Sequence, residues 1–373
     1  MSGAIVKGWC PGAHRPMMSG DGLVVRVRPR LGRITRDQVL EVCTLANVNG
    51  NGMIDVTSRA NLQIRGVSEK AHGSLLTGLI AAGLVDVDAV LDMRRNVVAT
   101  PFWKPGDLTD RLGSVLAERL PDLPELPAKF GFALDTGDRP MLADVSADIR
   151  VERGPEGLVV HADGAGRGLA VSEGQAVDAM ISMAGWFART GGHDSGRMVR
   201  HVAKVTWPDT WDTSVSTHQA PRIIPGQRDQ GVVAGVPFGQ VAAKDLSDLV
   251  QSSGATHLRV LPWRLLCLEG AENASHPGFV FAGDDPLLRL SACPGAPLCP
   301  QATVPTRRLA RRLAGRTGPL HVSGCTKGCA RQTAATLTIV GCDGAYDVIR
   351  DGTAQDLPVA TGLTEDQVVE RFC

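Results

Sequence analysis

A short pattern recurs in this chain, and an internal recurrence constrains a fold more than any composition does. Gly32-Arg33-Ile34 opens a stretch that reads helix, turn, strand, strand and closes at Gly66; Gly239-Gln240-Val241 opens a second in the same order, closing at Gly270. In the first copy a Thr35-Arg36-Asp37-Gln38 capping box predicts a helix through about Ala46, and Asn49-Gly50-Asn51-Gly52 predicts a turn. Strands follow over Met53 to Thr57 and Asn61 to Gly66, then a helix from Ser68 towards Gly83; Gly22 to Arg28 alternates as a strand before them. The second copy predicts a helix over Lys244 to Gln251 and strands over His257 to Leu261 and Leu265 to Gly270. Each copy reads as an α+β half-unit with helices on one face of a mixed sheet.

The chain has 373 residues, enough for two or three cores or one unit built of repeats. Between the copies, strands over Lys129 to Asp135, Asp148 to Glu152 and Leu158 to Ala162 precede a helix from Ser172 towards Arg189, an α/β pattern. After the second copy comes a cysteine-rich segment, then strands over Thr336 to Gly341 and Tyr346 to Arg350 and a short helix from the Thr364-Glu365-Asp366-Gln367 capping box. The expected order is half-unit (1–84), α/β domain (85–205), half-unit (206–275), α/β domain (276–373). The longest apolar stretch, Leu75 to Val85, is about half the roughly 20 residues of a membrane helix, so no span is expected. Met1 to Trp9 carries no apolar run leading to a small-residue cleavage site, and a cytoplasmic protein is expected. In that reducing compartment nine cysteines read as metal ligands or buried thiols.

Four of the nine gather between residues 293 and 329: Cys293 and Cys299 as C-x5-C, Cys325 and Cys329 as C-x3-C. If Gly324 to Gln332 is helical, the i, i+4 spacing aims both sulfurs the same way. Cys293-Pro-Gly and Cys299-Pro are loop signals, and Gly295, Gly324 and Gly328 leave room for backbone N–H groups to approach sulfide. Four thiolates with small neighbours suit an iron–sulfur cube; structural zinc is the alternative, although its short knuckle spacings do not include C-x5-C. Cys43 and Cys267 read as buried hydrophobes, Cys342 and Cys373 have no partner spacing, and Cys10 stays ambiguous.

The net charge of zero conceals two basic regions, ten Lys/Arg against five acids up to Lys70, and seven Lys/Arg without an acid from Gln301 to Ala335. Arg308, Arg311 and Arg312 share one helical face, so with Arg307 and Arg316 they allow a zinc-stabilised nucleic-acid module as a rival reading. Only 15 aromatic residues argue against base stacking.

Cys293-x5-Cys299 with Ser323-Gly324-Cys325-Thr326-Lys327-Gly328-Cys329 resembles the cluster motif of the assimilatory sulfite/nitrite reductase superfamily. The alternating domain order is similar too, so the resemblance covers nearly the whole chain. More narrowly, Trp9-Cys10-Pro11-Gly12-Ala13-His14-Arg15-Pro16-Met17, Gly20 to Pro29, Leu261-Pro262-Trp263-Arg264 and His321 to Cys325 resemble the precorrin-3B synthase branch. The resemblance implies a nitrite/sulfite reductase-like fold of two ferredoxin-like half-domains alternating with two α/β domains. It implies a monooxygenase of aerobic cobalamin biosynthesis that oxidises a precorrin with dioxygen and an electron donor of unspecified identity, without nucleic-acid or membrane partners.

By position, Arg59 in Ser58-Arg59-Ala60-Asn61-Leu62-Gln63 matches a reductase arginine that contacts tetrapyrrole carboxylates, and Arg95 in Arg95-Asn96-Val97 matches a second. Lys129 matches the first lysine of the reductases' Lys-x-Lys, while Gly131 replaces the second; Arg264 is a further substrate-binding candidate. Losing that lysine removes charge from an anion-reducing pocket, so sirohaem reduction of sulfite or nitrite is the less favoured activity and sirohaem the less favoured cofactor. Arginine forks still suit the carboxylates of a precorrin. The metal ligands implied are Cys293, Cys299, Cys325 and Cys329 for a [4Fe-4S] cluster. A second, non-haem iron is allowed for; His14, Asp21 and His321 lie in the matching motifs but read as structural hydrogen-bonders, and no catalytic acid or base stands out.

Overall fold

The structure, a computed structural model, describes residues 10–154, 157–215, 219–315 and 318–372; Trp9, Arg316 and Cys373 lie outside the described residues. The described residues form four sheets. The first half-unit orders its strands Met17–Ser19, Gly22–Val27, Leu62–Val67, Met53–Val56 and then Gln240–Ala242, the last contributed by the second half of the chain. The second half-unit runs Gly226–Arg228, Gly231–Gly235, Leu265–Glu269, His257–Leu261 and then Arg33–Thr35, contributed by the first half. Every pairing in both sheets is antiparallel, where a mixed sheet was expected. The expectation treated each repeat as self-contained, whereas each lends one strand to the other.

The glycines that open the two copies explain how the exchange is made. A Cβ on Gly32 would stand 2.7 Å from the Val260 carbonyl oxygen, and one on Gly239 2.8 Å from that of Val56; both residues have left-handed φ, +76° and +71°. Each crossing strand thus starts against the backbone of the other half. The helices that follow, Arg36–Asn49 and Ala243–Ser252, pack against each other and share one apolar core with both sheets. Buried Val39, Val42, Cys43 and Ala46 on one helix and Leu246, Leu249 and Val250 on the other belong to that core.

The remaining sheets share a skeleton. In one, Val97–Ala99, Phe132–Asp135 and Ile149–Gly154 run parallel, then Gly157–Ala162 and Arg167–Val171 antiparallel, with Thr213–Ser214 at the edge. In the other, Leu290–Ala292, Leu320–Ser323 and Ala335–Cys342 run parallel, then Ala345–Gly352 and Ala360–Leu363 antiparallel. Helices Leu108–Glu118 and Glu173–Arg189 serve the first, Arg307–Arg312 and Glu365–Phe372 the second. The repeat read from the sequence is therefore part of a duplication that spans most of the chain. Residues 324–332 form turns rather than a helix, because Gly328 takes a left-handed φ of +61°.

Candidate functional site

One face of the first half-unit sheet is apolar and covered by helices: Val25, Val27, Ile54, Val56, Leu62 and Ile64 are buried there. The alternating residues on the other face are polar and nevertheless sheltered. The strand register places Arg26 opposite Gln63, Gln63 opposite Asp55 and Asp55 opposite Gln240, a continuous polar row across four strands. Gln240 donates to Asp55 at 2.7 Å and accepts from Arg307. Arg65, on the same face two residues after Gln63, is 4 % exposed and holds Asp21 through Nε (2.9 Å) and Nη2 (2.6 Å) and Asp55 through Nη1 (3.0 Å). Charged groups this buried require partners, and the row supplies them.

At one end of the row arginines crowd together. Arg26, on the strand Gly22–Val27, is 9 % exposed, and Arg28, just past its end, 3 %. Burial pulls both guanidiniums below their ordinary range; the Cys10 sulfur opposes this for both, and Asp92 also does so for Arg28, with which it pairs at 3.0 Å. Arg59 is lowered by burial and by Arg197; it donates to the Lys129 carbonyl at 3.0 Å and to Ser146 Oγ at 2.7 Å. Arg95 donates to the Arg28 carbonyl at 3.4 Å. Arg59, Arg95 and Lys129 thus stand near one another, with Arg26, Arg28 and Arg197 beside them. A cavity of about 260 Å3 opens beside them, lined by Cys10, His14, Arg15, Arg28, Asp92 and Ala128 among others. Arg28 Nε and Asp92 Oδ1, both buried beside it, have no protein partner.

Gly131 shows why the second lysine is missing. A Cβ there would lie 2.5 Å from Asn96 Nδ2 and 3.0 Å from the Asn96 carbonyl, while its own N–H is held by Asp148 at 3.0 Å. No long side chain fits.

At the far end of the row stand Arg264, Arg307 and the cysteines. Trp263 and Arg264 both have left-handed φ (+62° and +63°), a conformation that costs a non-glycine residue of order 1 kcal/mol and persists where the surroundings impose it. The turn lays the Arg264 stem against Gly239, whose absent Cβ would meet Arg264 Cδ at 3.1 Å. Burial alone lowers the Arg264 guanidinium. Arg307 is lowered by burial and by Arg65 and Arg264, with Asp55 and Cys293 opposing, which places it between the row and the cysteines.

Cys293 directly follows the strand Leu290–Ala292, and Cys325 lies just beyond Leu320–Ser323, so both arise at the carboxyl ends of adjacent parallel strands. The Gly324 N–H donates to Cys293 Sγ at 3.1 Å. Burial raises the Cys329 thiol, and Cys293, Cys325 and Cys299 raise it further against Lys327. Gly324 and Gly295 let these loops pack closely: Cβ atoms there would meet Ala302 Cβ at 2.4 Å and Thr306 Oγ1 at 2.6 Å. The Cys293–Cys299 loop is clamped from the first half, Ser19 Oγ and the Gly20 N–H both donating to the Leu298 carbonyl, at 3.1 and 3.2 Å. Among the described residues no three His, Cys, Asp or Glu converge as a single bound ion requires. Four thiols and a backbone N–H on sulfur are the donor set that suits a [4Fe-4S] cluster, whose ligands are divided among several irons.

Residues 15–82 match the nitrite/sulfite reductase ferredoxin-like half domain. A curated precorrin-3B synthase from Sinorhizobium sp. is 32% identical over 402 aligned positions, which cover 95% of this chain and 85% of that protein. The chain belongs to the precorrin-3B synthase family. Members of the precorrin-3B synthase family are oxidoreductases, and this chain is one. The solved structure of the Mycobacterium tuberculosis NirA protein superimposes with a TM-score of 0.59 at 16% identity, covering 93% of this chain and 79% of that one, a likeness of fold. The nitrite/sulfite reductase-like α+β fold expected of the family is thus the fold observed.

The rival basic helix is not a free phosphate-binding face. Arg308 and Arg312 pair with Glu365, Arg312 also reaches Asp366, Arg311 stacks on Phe238 and the half-buried Arg307 donates to Gln240. Cys43 and Cys267 are buried thiols raised by burial to about 12 and about 11. No helix among the described residues is long and apolar enough to cross a membrane. Sequence reasoning passed over Arg26, Arg28, Arg65 and Arg197. A signal existed for the first three: alternating arginines in a strand with an apolar opposite face mark a polar face, although not whether it meets solvent or a cleft.

Proposed function

We propose that this chain is a precorrin-3B synthase-like monooxygenase that oxidises precorrin-3A with dioxygen and reductant, hydroxylating a meso carbon with lactone formation by the ring A acetate. The observation that carries the reading is the sheltered arginine row that ends beside four cysteines. A precorrin is a flat macrocycle fringed with acetate and propionate carboxylates, and it needs a site with guanidinium forks at its edges and little free water. Arg59, Arg95 and Lys129, with Arg26 and Arg28, would hold carboxylates at one end of the row, and Arg264 at the other. Burial lowers the pKa of Arg26, Arg28, Arg59 and Arg264, and a carboxylate brought beside these guanidiniums would favour their charged form. Cys293, Cys299, Cys325 and Cys329 would hold the [4Fe-4S] cluster, which supplies single electrons when bound. A second, non-haem iron would serve dioxygen chemistry, and no residue is assigned to it. The chain's own work is to orient the macrocycle, exclude water and fix its carboxylates. The proposed setting is cytoplasmic, with an electron donor still to be identified.

The packing at Gly131 favours this activity over sirohaem-dependent reduction of sulfite or nitrite, because the pocket cannot take the second lysine. The test is anaerobic purification followed by incubation with precorrin-3A, dioxygen and reductant, with products read by mass. An oxygenated tetrapyrrole is expected from the wild type. Arg59→Ala and Arg264→Ala should each raise KM about tenfold or more, the worth of one charge-assisted carboxylate contact. Sulfite reduction without precorrin oxidation would overturn the reading.

A further inference from the structure

His321 lies on the strand Leu320–Ser323, is fully buried, and has no hydrogen-bond partner for either ring nitrogen. Its neighbours Leu320 and Val322 belong to the apolar core on one side of the sheet, so His321 faces the other side. There it meets the loop between Cys325 and Cys329. The His321 atom among the closest neighbours of the position a Gly328 Cβ would take is Cε1, at 3.6 Å. Cε1 sits between the two nitrogens, so the polar edge of the ring is the edge turned towards this loop. The loop's carbonyls are already engaged from elsewhere: Gln332 Nε2 donates to Lys327 at 3.1 Å and Gly328 at 2.7 Å, and Ser323 Oγ donates to Cys325 at 2.7 Å. Burial, with Arg331 and Arg264, lowers the imidazole to about 4, so the ring is neutral and carries one N–H.

We propose that His321 donates this N–H to a sulfur of the bound cluster, at Cys325 or Cys329, and thereby sets the cluster's reduction potential. The inference rests on the cluster reading above. A hydrogen bond to a ligating sulfur draws negative charge from the cluster and makes it easier to reduce. The equivalent strand position in the first α/β domain, which has no cysteines, is Ala133. His321 is a positioning residue in this account and touches no substrate.

The test compares the full-length wild type with His321→Leu and His321→Asn, all purified anaerobically. Iron and acid-labile sulfide should be retained in each, while the midpoint potential from an EPR-monitored titration falls in the leucine variant and returns towards the wild-type value with asparagine, which restores a donor. An unchanged potential in a leucine variant with a full cluster overturns the proposal. Should the variants fold poorly, pulsed EPR of the reduced wild type grown with 15N-histidine decides the matter: a histidine nitrogen coupling supports it and its absence overturns it. A wild type without iron or sulfide sinks the cluster reading, and this inference with it.

Discussion

The two half-unit sheets carry the same row of four positions and fill it differently. In the first the row is Arg26, Gln63, Asp55 and Gln240; in the second, by the same register, it is Val233, Cys267, Arg259 and Arg33. Val233 and Cys267 join Leu261 and Leu265 in a small apolar cluster, and Phe102, Ile223 and Trp263 pack onto it. The second sheet's face is closed by side chains where the first is lined with buried charge. Two residues further along the third strand the inversion is complete: Arg65 holds Asp21 and Asp55, whereas Glu269 holds Arg33 and Arg259. The cofactor end follows the same rule. Where the strand Leu290–Ala292 is followed by Cys293, its counterpart Val97–Ala99 is followed by Thr100. Among the described residues a duplicated skeleton thus carries the buried polar row and the four clustered cysteines in one copy each, and a handful of side chains make the difference.

The largest effect should come from the cofactor end. Cys293→Ser is expected to reduce iron and acid-labile sulfide to a small fraction of wild type and to abolish oxidation of the tetrapyrrole, while Thr100→Ser at the matching position changes neither. Metal analysis and the product assay together check this, and a serine variant that keeps its full cluster would remove Cys293 from the ligand set.

The inverted triads come next. Although burial pushes Glu269 up, Arg33 and Arg259 hold it below the ordinary carboxylate range. Glu269→Gln leaves two sheltered guanidiniums without a counter-charge and should cost about 3–5 kcal/mol, read from denaturant unfolding. Arg65→Gln strands Asp21 and Asp55 at a similar cost. The two variants part company in function: the glutamine at 65 should also weaken tetrapyrrole binding, the one at 269 should not. Equal losses of binding in both would break the assignment of a single functional copy.

Much of the fold was legible because local signals and tertiary structure agree. The Thr35 and Thr364 boxes, the turn at Asn49 to Gly52 and the strand His257–Leu261 all stand where the pattern put them. What stayed hidden was non-local. The exchanged strands Arg33–Thr35 and Gln240–Ala242 are three residues long and acquire strand geometry only from a partner some 200 residues away. The three-residue strands that present Cys293 and carry Val97 are equally short. The four cysteines were singled out by their spacing, and Arg59, Arg95 and Lys129 by motif resemblance; Arg26 and Arg65 were passed over because a strand's polar face looks the same whether it meets bulk water or lines a cleft.

A third contrast lies at the second parallel strand of each α/β sheet, which ends in Asp135 in one copy and Ser323 in the other. Both brace the loop that follows, Asp135 by accepting from the Met141 and Leu142 N–H groups at 2.7 Å each. Burial, with a contribution from Glu152, raises Asp135 to about 6 from its ordinary 3.8, despite those two donors. A carboxyl raised on folding adds stability below its unfolded pKa and loses it as pH climbs through the folded one, here between about 4 and 6. Asp135→Asn should therefore flatten that part of the stability–pH profile, by on the order of 2 kcal/mol across the window. A variant profile parallel to wild type would show that Asp135 is already ionised across it.

The smallest effect tests whether the two half-unit helices are as equivalent as their packing. Thr35 caps the first, its Oγ1 accepting from the Gln38 N–H at 3.2 Å while Gln38 Oε1 accepts from the Thr35 N–H at 3.0 Å. The second begins at Ala242, which has nearly the same backbone, φ −71° and ψ 139° against φ −71° and ψ 160°, and no side chain to offer. Thr35→Ala should cost about 1 kcal/mol, and Ala242→Ser should recover a similar amount by giving the second helix the missing acceptor. Because both helices feed one core, the double variant should unfold near the wild-type midpoint in a single transition. Two separated transitions would mean that the exchanged strands do not couple the halves.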